Sequence, residues 1–557
     1  PFFELGAKIA NKKPLFTKYS LYTINENCDF SFWNISNEVT WLEYNKQFST
    51  PKIDNILLDN IKCINNLLKK SKCEPFAVIL VLRLIFIRYL IDRGVDLDYK
   101  GFSGSIDDSQ HNFLNILKDK QNLYDLFGHL EKKFNGNLFE FYCNEAGEKE
   151  IDLIDDQSLS QLYDLMSGEL EIGTGQFSLF PLYDFNIIPI ELVSNIYERF
   201  LGDERQKKDS AFYTPPYLVD YILKQTIISR IKSNDINNYN IKIMDPACGS
   251  GIFLVESLRS IIETAINNNQ VLDDKSLIGL VTNNIYGVDK NPEAINVAIF
   301  SIYITLLDYK NPKTLKSFKL PYLKDKNFLI FDFFDRFLDE KISHIKFDYI
   351  IGNPPWGRMN NGRHIEYCKE NNYAYQNNEI SRSFIYRTKD FASSETQIIF
   401  IVTSKLFYNS QMPAVNFRKW LLSNSRINLF IELAAVRELI FQNARGPATI
   451  ISYNFSQNPE SNLMNNINHI VFMPNIFYNL FNLIVVERSN YKKISQQLLY
   501  DTDWAWKAVV YGNVKDFQLL KKMKLKYKTI KDYIKEYNFI YGTGLQTNKG
   551  NKDSTEY

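Results

Sequence analysis

Four short polar segments of this 557-residue chain carry residue types that could hold and act on a ligand. The first is Asp245-Pro246-Ala247-Cys248-Gly249-Ser250-Gly251, directly after the apolar run IKIM at 241–244. Glycines there let the backbone turn sharply and let a ligand approach the main chain, and the following helix offers its N-terminus beside that ligand. An ordinary β–α turn would use the same glycines. The segment lacks the Gly-Lys-Ser/Thr ending of a phosphate loop and the GxGxxG of dinucleotide binders. Cys248 has no histidine near it in sequence, so it reads as a small loop residue rather than a nucleophile. Asp289 closes the run NIYGV (284–288). A carboxylate at that place in an α/β fold accepts both protons of vicinal ribose hydroxyls; capping the helix that opens at Pro292 is the alternative. Asp332-Phe333 follows NFLIF (327–331), where a carboxylate could bind a purine amine and a ring could pack on the base, although FDFFD also fits a plain strand end.

The fourth segment, Asn353-Pro354-Pro355-Trp356, is entered from FDYIIG (347–352) and carries the most specific chemistry. Two prolines remove backbone donors and fix φ, which makes a rigid stretch with outward carbonyls. The Asn353 side-chain oxygen and a neighbouring carbonyl then form two acceptors that match an exocyclic NH2 group. The amine of adenine is a poor nucleophile because its lone pair is delocalised. Two acceptors on its hydrogens push the nitrogen toward a tetrahedral, attacking geometry without a strong base. Trp356 is expected to offer a flat face on which an extruded base stacks.

The elements that must position these segments are legible from about residue 186 onward. Short apolar runs alternate with helix-length segments: IFLVESLRSIIETAI follows the first cluster and AINVAIFSIYITLL follows Asp289. TQIIFIVT (396–403), INLFIEL (427–433) and ATIISYNF (448–455) read as three further strands. Such alternation predicts a doubly wound α/β sheet whose strand carboxyl ends hold the ligand, and every polar cluster falls at such an end. Residues 1–185 show early β-like runs (SLYTI, CDFSFWNIS) and then helical periodicity over Ile53–Lys70, Phe76–Gly94 and Phe113–Phe134. The apolar stretch Phe76–Ile91 contains Arg83 and Arg88, so it predicts a buried helix rather than a membrane span.

Composition narrows the class. Lys+Arg is 65 against Asp+Glu 64, so any basic surface must be local. The six cysteines (Cys28, Cys63, Cys73, Cys143, Cys248, Cys368) form no CxxC pair, and the five histidines are dispersed, which argues against a metal centre or disulfide framework and for a reducing cytoplasm. The start, PFFELGAKIANKK, lacks the order of a secretory signal and begins without Met, which fits processing or trimming.

With these motifs in hand, the chain resembles the adenine-specific DNA methyltransferases of the N6 amino type. It is most similar to the branch with cofactor motifs before the catalytic motif, which includes type I modification subunits and single-chain restriction-modification enzymes. The segment Ala211-Phe212-Tyr213-Thr214-Pro215 resembles the motif upstream of the cofactor loop. The resemblance implies a Rossmann-like class I methyltransferase sheet and S-adenosylmethionine as cofactor. It places Tyr213 and Thr214 at the methionine part, and Asp245, Ala247, Cys248, Gly249 and Gly251 in the cofactor loop. Asp289 falls on the ribose, Asp332 and Phe333 on the adenine, and Asn353, Pro354, Pro355 and Trp356 at the target base. Asp245 stands where the family more often has Glu or Phe. Ser383–Phe391 and Ile398–Leu406 resemble the weaker motifs that follow. Phe441 matches an aromatic that packs on the flipped base, with Tyr453 and Phe455 as alternatives.

The implied organisation is an N-terminal mostly helical domain (1–185), a catalytic domain (186–490) and a connector leading into a target-recognition domain (491–557). Residues 521–536, KKMKLKYKTIKDYIKE, hold seven Lys against two acids, a solvated helix face or such a connector. The expected partners are double-stranded DNA and either a specificity subunit or a C-terminal recognition domain. Methylation of an rRNA guanine amine or a protein glutamine amide, and a non-catalytic subunit of a defence complex, are the competing readings.

Overall fold

The computed structural model describes residues 53–102, 104–177, 185, 214–228, 239–376, 378–441, 446–474, 485–512 and 514–539. A short antiparallel hairpin, β1 (Leu170–Glu171) with β2 (Gln176–Phe177), follows the N-terminal helices. The remaining strands are β3 (Ile243–Asp245), β4 (Ile285–Asp289), β5 (Phe328–Ile330), β6 (Tyr349–Gly352) and β7 (Gln397–Thr403). They continue with β8 (Ser425–Glu432), β9 (Ala448–Phe455), β10 (Asn466–Val471) and β11 (Tyr491–Ser495).

These nine strands form one sheet in the order β11-β10-β8-β9-β7-β6-β3-β4-β5. Pairs from β5 through β7 are parallel, and β9 runs antiparallel to both β7 and β8. Strands covered on both faces read as continuous apolar runs rather than alternating ones, which is why QIIFIVT and ATIISYNF were recognisable. The chain winds outward from β3 to β5, then returns to place β6 on the other side of β3. Loops after β3 and β6 therefore diverge at a topological switch point, the crevice where open α/β sheets bind ligands. The expected doubly wound sheet is what the chain forms.

Helices Ile252–Asn267 and Pro292–Asp308 cover one face together with the N-terminal helices, in one continuous apolar core. Ile380–Arg387, Met412–Asn424 and Ala505–Tyr511 cover the other. The N-terminal helices are thus part of the main core: Phe86 meets Phe300 at 6.3 Å between ring centroids, and Tyr89 donates to Asp308 at 2.7 Å. The stretch Phe76–Ile91 is the buried helix Ala77–Asp92. Its Arg83 ion-pairs with Glu150 at 2.6 Å and donates to the Leu138 carbonyl, while Tyr124 and the Tyr142 amide complete the Glu150 carboxylate. Among the described residues no helix is long and apolar enough to cross a membrane.

Three expectations need correction. The periodicity over Phe113–Phe134 belongs to two helices, Ile106–Ile116 and Lys120–Phe134, because the Asp119 carboxylate accepts the Asn122 amide at 2.8 Å and caps a new start. Strands β10 and β11 extend the sheet beyond the seven expected strands. Consequently the expected boundary at 490 falls inside the sheet, since β11 pairs with β10 and Trp506 and Phe517 pack in the same core as β6 and β7. The lysine-rich segment lies on exposed turns of the helices Val514–Lys526 and Ile530–Tyr537. SLYTI and CDFSFWNIS lie outside the described residues.

Candidate functional site

The polar clusters converge at the carboxyl ends of β3, β4, β5 and β6. Asp245 ends β3 with only 1% of its surface exposed, and its carboxylate accepts the Ala247 amide at 3.0 Å. A Cβ built on Gly352 would stand 2.5 Å from Asp245 Oδ1, so β6 needs glycine there for the two strand ends to sit side by side. Burial, with a smaller push from Asp289, raises the Asp245 carboxyl to about 8 against the opposing Ala247 amide. Burial also drives the Cys248 thiol well above its ordinary value, which keeps it protonated and agrees with a loop role rather than a nucleophilic one.

The loop turns tightly onto the helix Ile252–Asn267. Gly251 caps that helix at φ 83°, and an added Cβ would meet Ala298 at 3.0 Å, so a side chain fits neither the turn nor the packing. The Gly249 amide donates to Asp289 Oδ2 at 3.0 Å and the Asn291 amide to Oδ1 at 2.9 Å, which ties the loop to the end of β4. The helix at Pro292 is capped by Asn291, whose side chain accepts the Glu293 amide at 3.0 Å. Asp289 is therefore not consumed as a helix cap.

Asp332 stands half-buried after β5 and accepts the Phe334 amide at 2.9 Å. Phe333 departs from expectation. It is 3% exposed and stacked on Phe384 at 5.0 Å, with Phe391 at 5.5 Å, so its ring belongs to the core beneath the site rather than to a ligand face.

At β6, Asn353 Nδ2 donates to Thr214 Oγ1 at 3.1 Å. This bond orients the amide, with Oδ1 on the opposite edge. Pro354 is buried and Pro355 half-buried. Beyond Trp356, the Gly357 amide donates to Glu379 Oε1 at 2.7 Å and its carbonyl accepts the Ile380 amide at 3.0 Å. Glu379 thus holds the backbone turn that follows the motif. The Trp356 indole was expected as an open platform, but it is 5% exposed, donates to the Ile401 carbonyl at 3.1 Å and meets Phe441 edge to face at 5.5 Å. The Trp356 and Phe441 rings are thus in direct contact with each other. Tyr453 and Phe455 sit in β9 in the opposite core, away from Trp356. Arg363 after the motif is engaged by Asp335, whereas Arg358 is exposed. Tyr213 lies outside the described residues.

Two groups at the site had no legible signal in the sequence. Glu379 is 22 residues beyond the backbone amide it holds. His364 lies in the helix Arg363–Glu370, near Asp332, with Nε2 buried and lacking a hydrogen-bond partner among the described residues. The residues present fit an adenosyl cofactor: a glycine turn, two half-buried carboxylates at successive strand ends, and an orphaned buried acceptor. Among the described residues no group of three or more His, Cys, Asp or Glu could hold a metal ion.

Residues 283–439 match the family described as the Eco57I restriction-modification methylase. The chain is 25% identical over 403 residues to the type II restriction enzyme and methyltransferase RM.Eco57I of Escherichia coli, covering 64% of this chain and 38% of that protein. It is 24% identical over 227 residues to the type II methyltransferase M.BstVI of Geobacillus stearothermophilus, covering 40% and 38%. A segment of 124 residues is 27% identical to the adenine-specific methyltransferase PglX of Streptomyces coelicolor, covering 21% of this chain and 10% of that protein. The fold is similar to that of the type IIL restriction-modification enzyme MmeI in complex with DNA, with TM-score 0.53 and 16% identity over 74% of this chain and 58% of the other. The chain spans well under half the length of these curated relatives.

Proposed function

We propose that this chain, which carries an Eco57I-type methylase region, transfers a methyl group from S-adenosylmethionine to N6 of an adenine flipped out of DNA, as the modification part of a restriction-modification or phage-defence system. The bond between Asn353 and Thr214 carries the reading, because it joins the segment assigned to the cofactor's methionine to the segment assigned to the target base. Donor and acceptor sites that share one hydrogen bond are sites for transfer between two ligands held side by side.

In this reading Thr214 lies at the methionine part, with Tyr213 beside it in sequence. The turn from Asp245 through Ala247, Cys248, Gly249 and Gly251 lies against the adenosyl group, Asp289 takes the ribose hydroxyls and Asp332 the adenine amine. S-adenosylmethionine supplies the activated methyl group. Asn353 Oδ1 and the Pro354 carbonyl accept the two hydrogens of the target amine, and Pro355 keeps that stretch rigid. Catalysis then rests on positioning for in-line attack, which is worth up to about 7–11 kcal/mol of barrier in well-oriented systems. Extruding the base costs a few kcal/mol, and stacking returns about 1–3 kcal/mol. For the base to lie on Trp356, Phe441 must swing away from its edge-on contact; the two rings then bracket it.

The whole protein's partners belong to the same proposal: double-stranded DNA, with a specificity subunit or a C-terminal recognition domain that chooses the site, in the cytoplasm. We assign the helical part to the N-terminal region, the catalytic part to the region from 186 through β11, and the connector to the residues that follow β11. The test is transfer of labelled methyl groups to DNA, RNA and protein in parallel. The reading expects N6-methyladenine in DNA, lost in Asn353→Ala; label in RNA or protein alone would overturn it.

A further inference from the structure

We infer that His364 is a cofactor-recognition residue, its Nε2 accepting one hydrogen of the adenosyl 6-amino group while Asp332 accepts the other. The inference rests on the reading of this chain as an S-adenosylmethionine binder and adds a residue to it.

His364 is 3% exposed, and its Nε2 has no hydrogen-bond partner among the described residues. A buried polar atom left without a partner is unusual enough to call for one. The ring makes a hydrogen bond with the Met359 main chain. Since Nε2 is unpartnered, that bond falls on Nδ1, which makes Nδ1 the N–H donor and leaves Nε2 a lone-pair acceptor. Burial keeps the ring neutral by disfavouring the charged form, so the lone pair persists.

What lies around it defines the donor it needs. Asp332 is near enough for its charge to act on the imidazole. The Phe334 ring lies 6.0 Å away at 58°, and the Phe334 amide is the group that holds Asp332. Asp332, Phe334 and His364 thus form one corner at the carboxyl end of β5. An exocyclic aromatic amine has two N–H donors and no useful lone pair, so it suits two acceptors converging from different elements. A 6-oxo purine would present an acceptor to both and be rejected.

The experiment uses the full chain and calorimetric binding of S-adenosylhomocysteine and of its analogue with hydrogen in place of the 6-amino group. Wild type should prefer the amine at least tenfold. His364→Phe, which keeps the ring volume, should reduce that preference about 3- to 10-fold, and His364→Gln should restore part of it. In wild type with 15N-labelled histidine, the Nε2 resonance of His364 should move on binding the amine form and stay put with the analogue. Equal weakening of both ligands by His364→Phe, an unchanged preference, or an unmoved Nε2 resonance would overturn the role of His364. If wild type binds neither ligand, the cofactor reading itself fails, and His364 with it.

Discussion

Thr214 Oγ1 and Asn353 Nδ2 are 3.1 Å apart, although 139 residues separate them in the chain. Thr214 is buried, and removing its hydroxyl takes away the bond that orients the Asn353 amide. Thr214→Val is expected to lower the methyl-transfer rate constant roughly 5- to 150-fold, the equivalent of about 1–3 kcal/mol. Thr214→Ser should recover most of it. Single-turnover transfer with labelled S-adenosylmethionine measures both.

The contact between Gly352 and Asp245 allows no side chain. Gly352→Ala would drive a methyl group against the Asp245 carboxyl and separate the ends of β3 and β6. We expect a loss of about 1–3 kcal/mol in stability, read by urea unfolding, together with weaker cofactor binding by calorimetry. A stable variant with unaltered binding would show that the two strand ends tolerate separation.

Trp356 and Phe441 should divide their roles by element. Trp356→Phe keeps a flat ring but removes the donor to the Ile401 carbonyl, and is expected to retain transfer within about tenfold, since one ordinary hydrogen bond is worth about 1 kcal/mol. Trp356→Ala and Phe441→Ala lose a stacking face worth about 1–3 kcal/mol per base. With 2-aminopurine at the target position, both should lower the fluorescence rise that marks extrusion, while cofactor affinity is unchanged.

Two buried groups give stability opposing dependences on pH. The folded Asp245 carboxyl is raised to about 8 by burial, so its contribution is full below the unfolded value and is lost as pH rises toward 8. His469, stacked on Phe430 in the core, is lowered to about 3 by burial, with Lys492 adding to the effect. Its contribution is full above the unfolded value near about 6.5 and is lost as pH falls toward 3. Each site has a limiting slope of about 1.4 kcal/mol per pH unit. They oppose one another between about pH 3.9 and 6.5, and Asp245 acts alone from there to about 8. Asp245→Asn should therefore flatten the decline in unfolding free energy above neutrality. His469→Phe should leave that decline intact and remove the acid-side loss. Urea titrations across the range check both slopes.

The alternation of apolar runs and helices was enough to place seven strands, because a strand buried on both faces must be apolar throughout. That rule fails at the edge of the sheet. NINHIV and YKKIS carry polar residues on one side, so β10 and β11 had no such signature. The N-terminal helices were legible from their 3.6-residue period, but not their union with the catalytic core, since period says which face is apolar and not what covers it. Asp119 hid a helix break for a related reason: a cap is a side-chain bond, and the apolar pattern runs through it.

At the site, local sequence determined the chemistry available: a glycine turn after β3, acids after β4 and β5, and Asn-Pro-Pro-Trp after β6, each at a strand end because short polar clusters interrupt apolar runs only there. Tertiary structure decided which groups those residues face. It gave Asn353 to Thr214, Gly357 to Glu379, and Asp332 to the neighbourhood of His364, and it turned Phe333 inward and Phe441 onto Trp356. Each of these relationships joins different elements of the sheet, and hydrogen bonds and ring contacts act over a few ångströms of space, a distance that spacing along the chain does not encode.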